Sequence, residues 1–454
     1  MALRFASGAV FPAGGVRRAR QTHAMPKLLR QFDGLQPGLR AIRQLRRRQS
    51  FDDAPEEAAV RAIIADVRRR GDRAVVELER KFTGAAISAA KLRVTERELA
   101  AARVEVGAEF LAAIERIAAR LREFHRRSLR KSWSFTRAGI TLGQRLMPIE
   151  RVGAYVPAGK APLPSTLLMT VVPAQVAGVP RLVVCTPPNR EGRADAHTLA
   201  VADLLGVTEV YKAGGAGAIA ALAFGTKTIP AVDKIVGPGN VYVVLAKKLL
   251  FGQVGIESLP GPSEVAIIAD ASARPDWVAA DLLAQAEHGP DSVCALLTDS
   301  ASLAAAVQAA LVAQIAALPR GAHAAAALKS LGLLVVVDSL DECCQLANAL
   351  AAEHLQLMTG DPDALLPRIH HAGAIFLGHH SPVPLGDYVA GPSHVLPTGG
   401  TARFSSGLSV DDFLKKSSVI RYSPAATARA LADLSLIAEA EGLDAHAAAV
   451  RARK

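Results

Sequence analysis

Ile256 to Ser292 reads IESLPGPSEVAIIADASARPDWVAADLLAQAEHGPDS, and the rest of the chain is organised around this stretch. Pro260-Gly261-Pro262 is a turn. Glu264 to Ala269 is a short apolar run with the pattern of a buried strand. Asp270 to Ser272 can cap the next helix, and Pro275 suits its first turn. Trp277 to His288 then reads as a helix, stopped by Gly289-Pro290. Gln285 and His288 lie three apart near the end of that helix, so they share a face. An amide oxygen and an imidazole so placed could hold a hard or borderline cation; a solvated polar helix end explains the same pair.

Outward from this stretch the same alternation recurs. Ahead of it, strands are expected at Arg181–Thr186, Glu209–Ala213 and Lys234–Val236, with helices at Ala196–Leu205, Ala218–Phe224 and Val241–Leu250. After it come a strand at Val293–Thr298, a helix at Ser302–Leu318, a strand at Leu333–Val337, a helix at Leu340–Ala352 and a strand at Ala374–Phe376. This is the α/β signature of parallel sheets, in two halves. Residues 58–70, 74–82 and 95–130 read as helices, the last long and Arg-rich; the segment from Val410 reads as helical and Ala-rich.

The net charge of +11 invites a nucleic-acid reading, but its distribution opposes one. Residues 1–50 hold 11 Lys and Arg against one acid, Asp33, whereas the other 404 residues hold 42 against 41. The body is nearly neutral and carries no basic stripe interleaved with aromatics, so nucleic acid is not expected as a partner. No apolar stretch is long enough to span a bilayer. Residues 1–24 lack acids and a secretory h-region; an upstream start before Met25, or a tail, is the leading reading, with an organellar transit peptide as the minority one. The four cysteines (Cys185, Cys294, Cys343, Cys344) form no C-x-x-C pair, which fits buried thiols in a reducing cytoplasm.

Individual motifs are ambiguous. Gly215-Ala-Gly217-Ala-Ile-Ala220 fits a loose dinucleotide pattern, but a tight strand-to-helix turn needs the same glycines. Gly237-Pro-Gly239-Asn240 is a second such turn, whose amides could meet a phosphate. Glu353-His354, after a helix and before apolar Leu355, suggests acid/base work at the carboxyl edge of a sheet; a solvated helix end is the alternative. Asp387 sits in a Pro/Gly loop of the kind that holds ligands, and His370-His371 and His379-His380 read as loop histidines. Glu441 and His446 lie in the helical tail.

Together, GPSE, QAEHGPDS, AAEHLQL, GDYVAGPSHVLPTGGTARFSSGLSVDDFLKK and EGLDAH, in this order, resemble the histidinol dehydrogenase family from about Met25 to the end. The resemblance implies an α/β homodimer that oxidises L-histidinol to L-histidine through L-histidinaldehyde with two NAD+. It implies one zinc per subunit, held by Gln285, His288 and Asp387 of one chain and His446 of the other. It gives His354 as general base and Glu353 as the group that activates water. Ser263, His394 and Glu441 match substrate-contacting positions, as do the metal ligands and His354; Tyr155 and Asn240 match NAD-contacting ones. The chain has Gly217 where the family usually has Gln, a cofactor contact, which puts part of the NAD grip in doubt; Glu257, Pro260 and Ala158 stand where Asp, Ala and Gly are usual and alter a loop rather than the reacting groups. Relatives acting on other small polar alcohols keep the substrate less secure than the reaction class.

The expected organisation is two Rossmann-like parallel-sheet α/β domains, a basic N-terminal arm at 25–50 and a helical C-terminal tail at 410–454 that exchanges between subunits. Residues 51–154 with 265–409 are expected to form the domain carrying zinc and catalytic residues, and 155–264 the NAD side.

Overall fold

The computed structural model describes residues 27–48, 54–158 and 162–453; the expected tail at 1–24 lies outside them. Apolar runs bounded by turns become the strands of two parallel sheets. The larger has six strands in the order Arg30–Asp33, Gly332–Val336, Val293–Thr298, Glu264–Ala269, His354–Met358 and Ala374–Leu377. Its central strands are buried on both faces, which is why they read as continuous apolar runs rather than alternating ones. Val265, Ile267 and Ala269 face one core, packed by the helices Pro275–Ala286, Ala301–Ile315 and Gly321–Leu331. Ala266 and Ile268 face the other, packed by Leu35–Arg48 and Leu340–Leu350.

The second sheet has five parallel strands in the order Glu209–Lys212, Arg181–Thr186, Arg151–Tyr155, Lys234–Val236 and Gly255–Ile256. The helices Pro164–Ala177 and Ala196–Leu204 cover one face, and Gly215–Phe224 with Val241–Leu250 the other. The two-sheet α/β fold is therefore as expected.

Three features differ from the expectation. Residues 30–48 are no arm: they add an edge strand and a helix to the six-stranded sheet. The helices Glu57–Arg70, Asp72–Phe82 and Glu96–Ser128 pack on the five-stranded sheet, not on the six-stranded one, and the last of them is two helices meeting at Gly107 (φ 79°). The tail is not helical throughout, because Leu414–Tyr422 is a strand. It pairs antiparallel with Ile140–Pro148, which forms a hairpin with Trp133–Arg137. Ala138 and Gly139 both take positive φ (51° and 80°), as a two-residue hairpin turn demands. Beyond this sheet run the helices Pro424–Ala440 and Asp444–Arg451.

Candidate active site

The chain places Glu353 and His354 by a backbone device. The helix Leu340–Leu350 ends in Ala351 with φ 48° and ψ 53°, a left-handed cap that redirects the chain into Ala352-Glu353-His354. His354 opens the strand His354–Met358 beside Glu264–Ala269, so both acids and the imidazole lie at the amino edge of the sheet. The expectation of a carboxyl-edge site is corrected by this: Gln356 and His354 masked a buried strand that starts at His354. Gly373 closes the other side. A Cβ there would lie 2.5 Å from the Glu353 carbonyl oxygen, and Ala374 N–H donates to that oxygen at 2.9 Å.

Glu264 and Glu353 hold one another. The Glu264 amide donates to Glu353 Oε2 at 2.9 Å, and the Glu353 amide donates to Glu264 Oε2 at 3.2 Å. Gly399 N–H donates to Glu264 Oε1 at 3.0 Å. The sequence alone assigns Glu264 no role of its own. Its signal was there: a carboxylate at the first position of a fully buried strand. Burial pushes the Glu353 carboxyl well above the usual range, against the opposing pull of His354 and a hydrogen bond from Ser263.

His354 lies between carboxylates: its Nδ1 is 3.6 Å from Glu353 Oε2 and its Nε2 is 3.5 Å from Asp387 Oδ1. Burial opposes the imidazolium, but Glu353 and Asp387 outweigh it and raise the pKa. Nδ1 lies 3.0 Å from the Glu264 carbonyl oxygen. A carbonyl only accepts, so Nδ1 is the donor, and in the neutral ring the lone pair is on Nε2, which has no hydrogen-bond partner.

Asp387, on the short helix Val383–Tyr388, is the hub. Burial works against its carboxylate, yet His354, His394 and His288 hold its pKa below the usual range. His394 is held well below its usual value, at about 4, chiefly by desolvation; its Nε2 lies 3.5 Å from Thr166 Oγ1, on the helix Pro164–Ala177 of the other sheet. The cleft thus lies where the two α/β halves meet. His288 is at the exposed rim, near enough for the charges of Asp387 and His354 to act on it. Gln285 is buried with its Nε2 unpartnered. One turn earlier on the same helix, Asp281 accepts from Gln356 Nε2 at 2.7 Å and ties that helix to the strand His354–Met358.

Among the described residues no three His, Cys, Asp or Glu side chains complete a metal site. Gln285, His288 and Asp387 nevertheless fit zinc in chemistry. They offer an amide oxygen, an imidazole nitrogen and a carboxylate ringed by imidazoles, a set of N and O donors without sulfur. Glu441 and His446 are exposed and line a separate groove of about 820 Å³ with Leu434, Ile437 and Ala445, built wholly from tail residues.

At the carboxyl edge of the five-stranded sheet, Tyr155 ends its strand and Asn240 caps Val241–Leu250, its side chain accepting from Val243 N–H at 3.3 Å. Asn240 is exposed; Tyr155 is buried, with its hydroxyl accepting from Gly215 N–H at 3.1 Å. A Cβ on Gly217 would meet Leu78 at 2.8 Å, so that glycine serves helix packing. The four cysteines are free and buried, and burial raises their thiol pKa values, which makes them poor nucleophiles.

Two parallel sheets meeting at a buried acid–base centre define an α/β enzyme rather than a binding module. A family model described as histidinol dehydrogenase matches residues 45–454. The chain is 51% identical over 409 residues to a histidinol dehydrogenase of Geobacillus kaustophilus, covering 89% of this chain and 96% of that protein. It is 50% identical over 409 residues to one of Synechococcus, covering 89% and 94%. A solved histidinol dehydrogenase from Elizabethkingia anophelis superposes with a TM-score of 0.89 at 36% identity, covering 94% of this chain and 98% of that one. The chain belongs to the histidinol dehydrogenase family and is an oxidoreductase acting on a CH–OH group.

Proposed function

We propose that the enzyme oxidises L-histidinol to L-histidine through L-histidinaldehyde, using two NAD+ and one zinc per subunit, in a homodimer whose sites are shared. The observation that carries this reading is His354 held by Glu264 through Nδ1, with Nε2 turned to Asp387. Nε2 accepts the proton of the substrate hydroxyl in the first oxidation. Glu353, beside it, takes a proton from the water that adds to the aldehyde, and His354 serves again as the hydrate is oxidised. The dinucleotide supplies the hydride acceptor for each oxidation. Zinc, held by Gln285, His288, Asp387 and His446 of the partner subunit, would polarise the substrate oxygen and orient its amine and imidazole. A cation held at Asp387 would offset that carboxylate's pull on the imidazolium, leaving Glu353 as the charge that favours it. Ser263, His394 and Glu441 line the substrate; Asn240, with Tyr155 as its wall, meets NAD+. Four free thiols support a reducing cytoplasm as the place of work.

The half-reactions test this division of labour. His354→Asn should depress both oxidations. Glu353→Gln should spare alcohol–aldehyde interconversion by at least about tenfold relative to oxidation of supplied histidinaldehyde. Equal losses in a folded Glu353→Gln enzyme remove Glu353 from the chemistry.

A further inference from the structure

We propose that Lys247 and Glu257 are positioning residues for the dinucleotide: a buried ion pair that holds the Gly237–Asn240 turn in the shape that presents Asn240. This rests on the reading of that turn as the NAD+ side. The Lys247 side chain is fully buried and that of Glu257 is 3% exposed. The Lys247 ammonium lies 2.8 Å from both Glu257 oxygens and donates to the Gly237 carbonyl at 3.1 Å. Glu257 Oε1 in turn accepts from the Gly237 amide at 2.8 Å. One ion pair therefore takes both backbone polar groups of a single residue.

That residue has little freedom. Gly237 has φ +114°, and a Cβ on it would lie 2.2 Å from the Tyr155 carbonyl oxygen, so the turn passes directly against the end of the neighbouring strand. The neighbouring strand, Arg151–Tyr155, is central: the chain builds outward from it through Arg181–Thr186 to Glu209–Lys212, then crosses back to place Lys234–Val236 on its other side. Such a reversal opens a crevice at the carboxyl edge of a parallel sheet. Three residues on from Gly237, Asn240 caps the helix that carries Lys247, while Glu257 comes directly after the strand Gly255–Ile256. The pair joins turn, helix and edge strand at the crevice wall. A buried ion pair adds little net stability relative to an apolar pair of similar size, so its geometric effect on the turn is the property that a swap exposes.

The test is calorimetric titration of NAD+ into folded protein, with amide exchange of the segment around Gly237 and steady-state kinetics. In Lys247→Met/Glu257→Leu, protection at Gly237 should fall and Kd for NAD+ should rise about tenfold or more. KM for NAD+ should rise with it, while kcat at saturating NAD+ stays within about threefold. Glu257→Asp, which keeps the charge, should retain most of the affinity. Should the double variant not fold, Lys247→Met carries the same expectation. Unchanged Kd in a folded variant that has lost Gly237 protection overturns the clamp, as does unchanged protection. A wild-type enzyme that does not bind NAD+ refutes the dinucleotide reading instead.

Discussion

At the scale of single residues, two backbone positions set the acid–base pair. Gly373 admits the Glu353 carbonyl where a methyl group cannot fit. Gly373→Ala should cost about 1–3 kcal/mol of stability and reduce turnover more than its stability loss explains, because it pushes Glu353 out of register. Ala351 holds φ 48° without being glycine. Ala351→Gly relieves that strain and should leave stability unchanged or raised by up to about 1 kcal/mol, with turnover retained. Denaturant midpoints and initial rates on the two variants check both statements. A harmless Gly373→Ala would show that the close approach is not needed. The sequence named Glu353, His354, Asp387 and Gln285 through short motifs. It did not separate them from surface residues, because their burial depends on strand pairs from distant parts of the chain. Glu264 and Gly373 escaped for the same reason.

At the scale of elements, legibility tracked burial. Glu264–Ala269 and Val293–Thr298 are legible to the residue because both faces are covered, and the apolar run is the strand. Leu414–Tyr422 is not: it carries lysines, is largely exposed, and pairs with a hairpin far away in sequence. His354–Met358 is hidden because polar His354 and Gln356 interrupt its apolar pattern. The helical segment Glu96–Ser128 holds a group with a pH consequence. His125 is fully buried, neither ring nitrogen has a hydrogen-bond partner, and burial lowers its pKa to about 4. The unfolded chain protonates it near 6.5, so between those values the unfolded state binds more protons. Its contribution to stability is present in full above about pH 6.5 and is lost as pH falls toward 4. The wild type should therefore lose more stability from pH 7 to pH 5 than His125→Leu does. Denaturant melts at both pH values decide it, and equal losses would rule His125 out as the acid-sensitive group.

At the scale of the molecule, the cleft holding Glu353, His354 and Asp387 lies between two sheets, while Glu441 and His446 line a groove in the tail. Leu436 and Ile437 on the tail helix are exposed, at 68% and 63%. The proposed shared site would bring this tail face against a second copy. Mixing inactive His446→Ala chains with inactive His288→Ala chains should restore about a quarter of wild-type activity, since one site of each mixed dimer regains every ligand. No recovery after demonstrated subunit exchange would place His446 outside the site. The central claim, that one acid–base centre performs two successive oxidations, is tested most directly by product stoichiometry. With NAD+ in excess, each mole of L-histidinol consumed should give two moles of NADH and one of L-histidine, with no aldehyde released. One mole of NADH with histidinaldehyde accumulating would contradict the account.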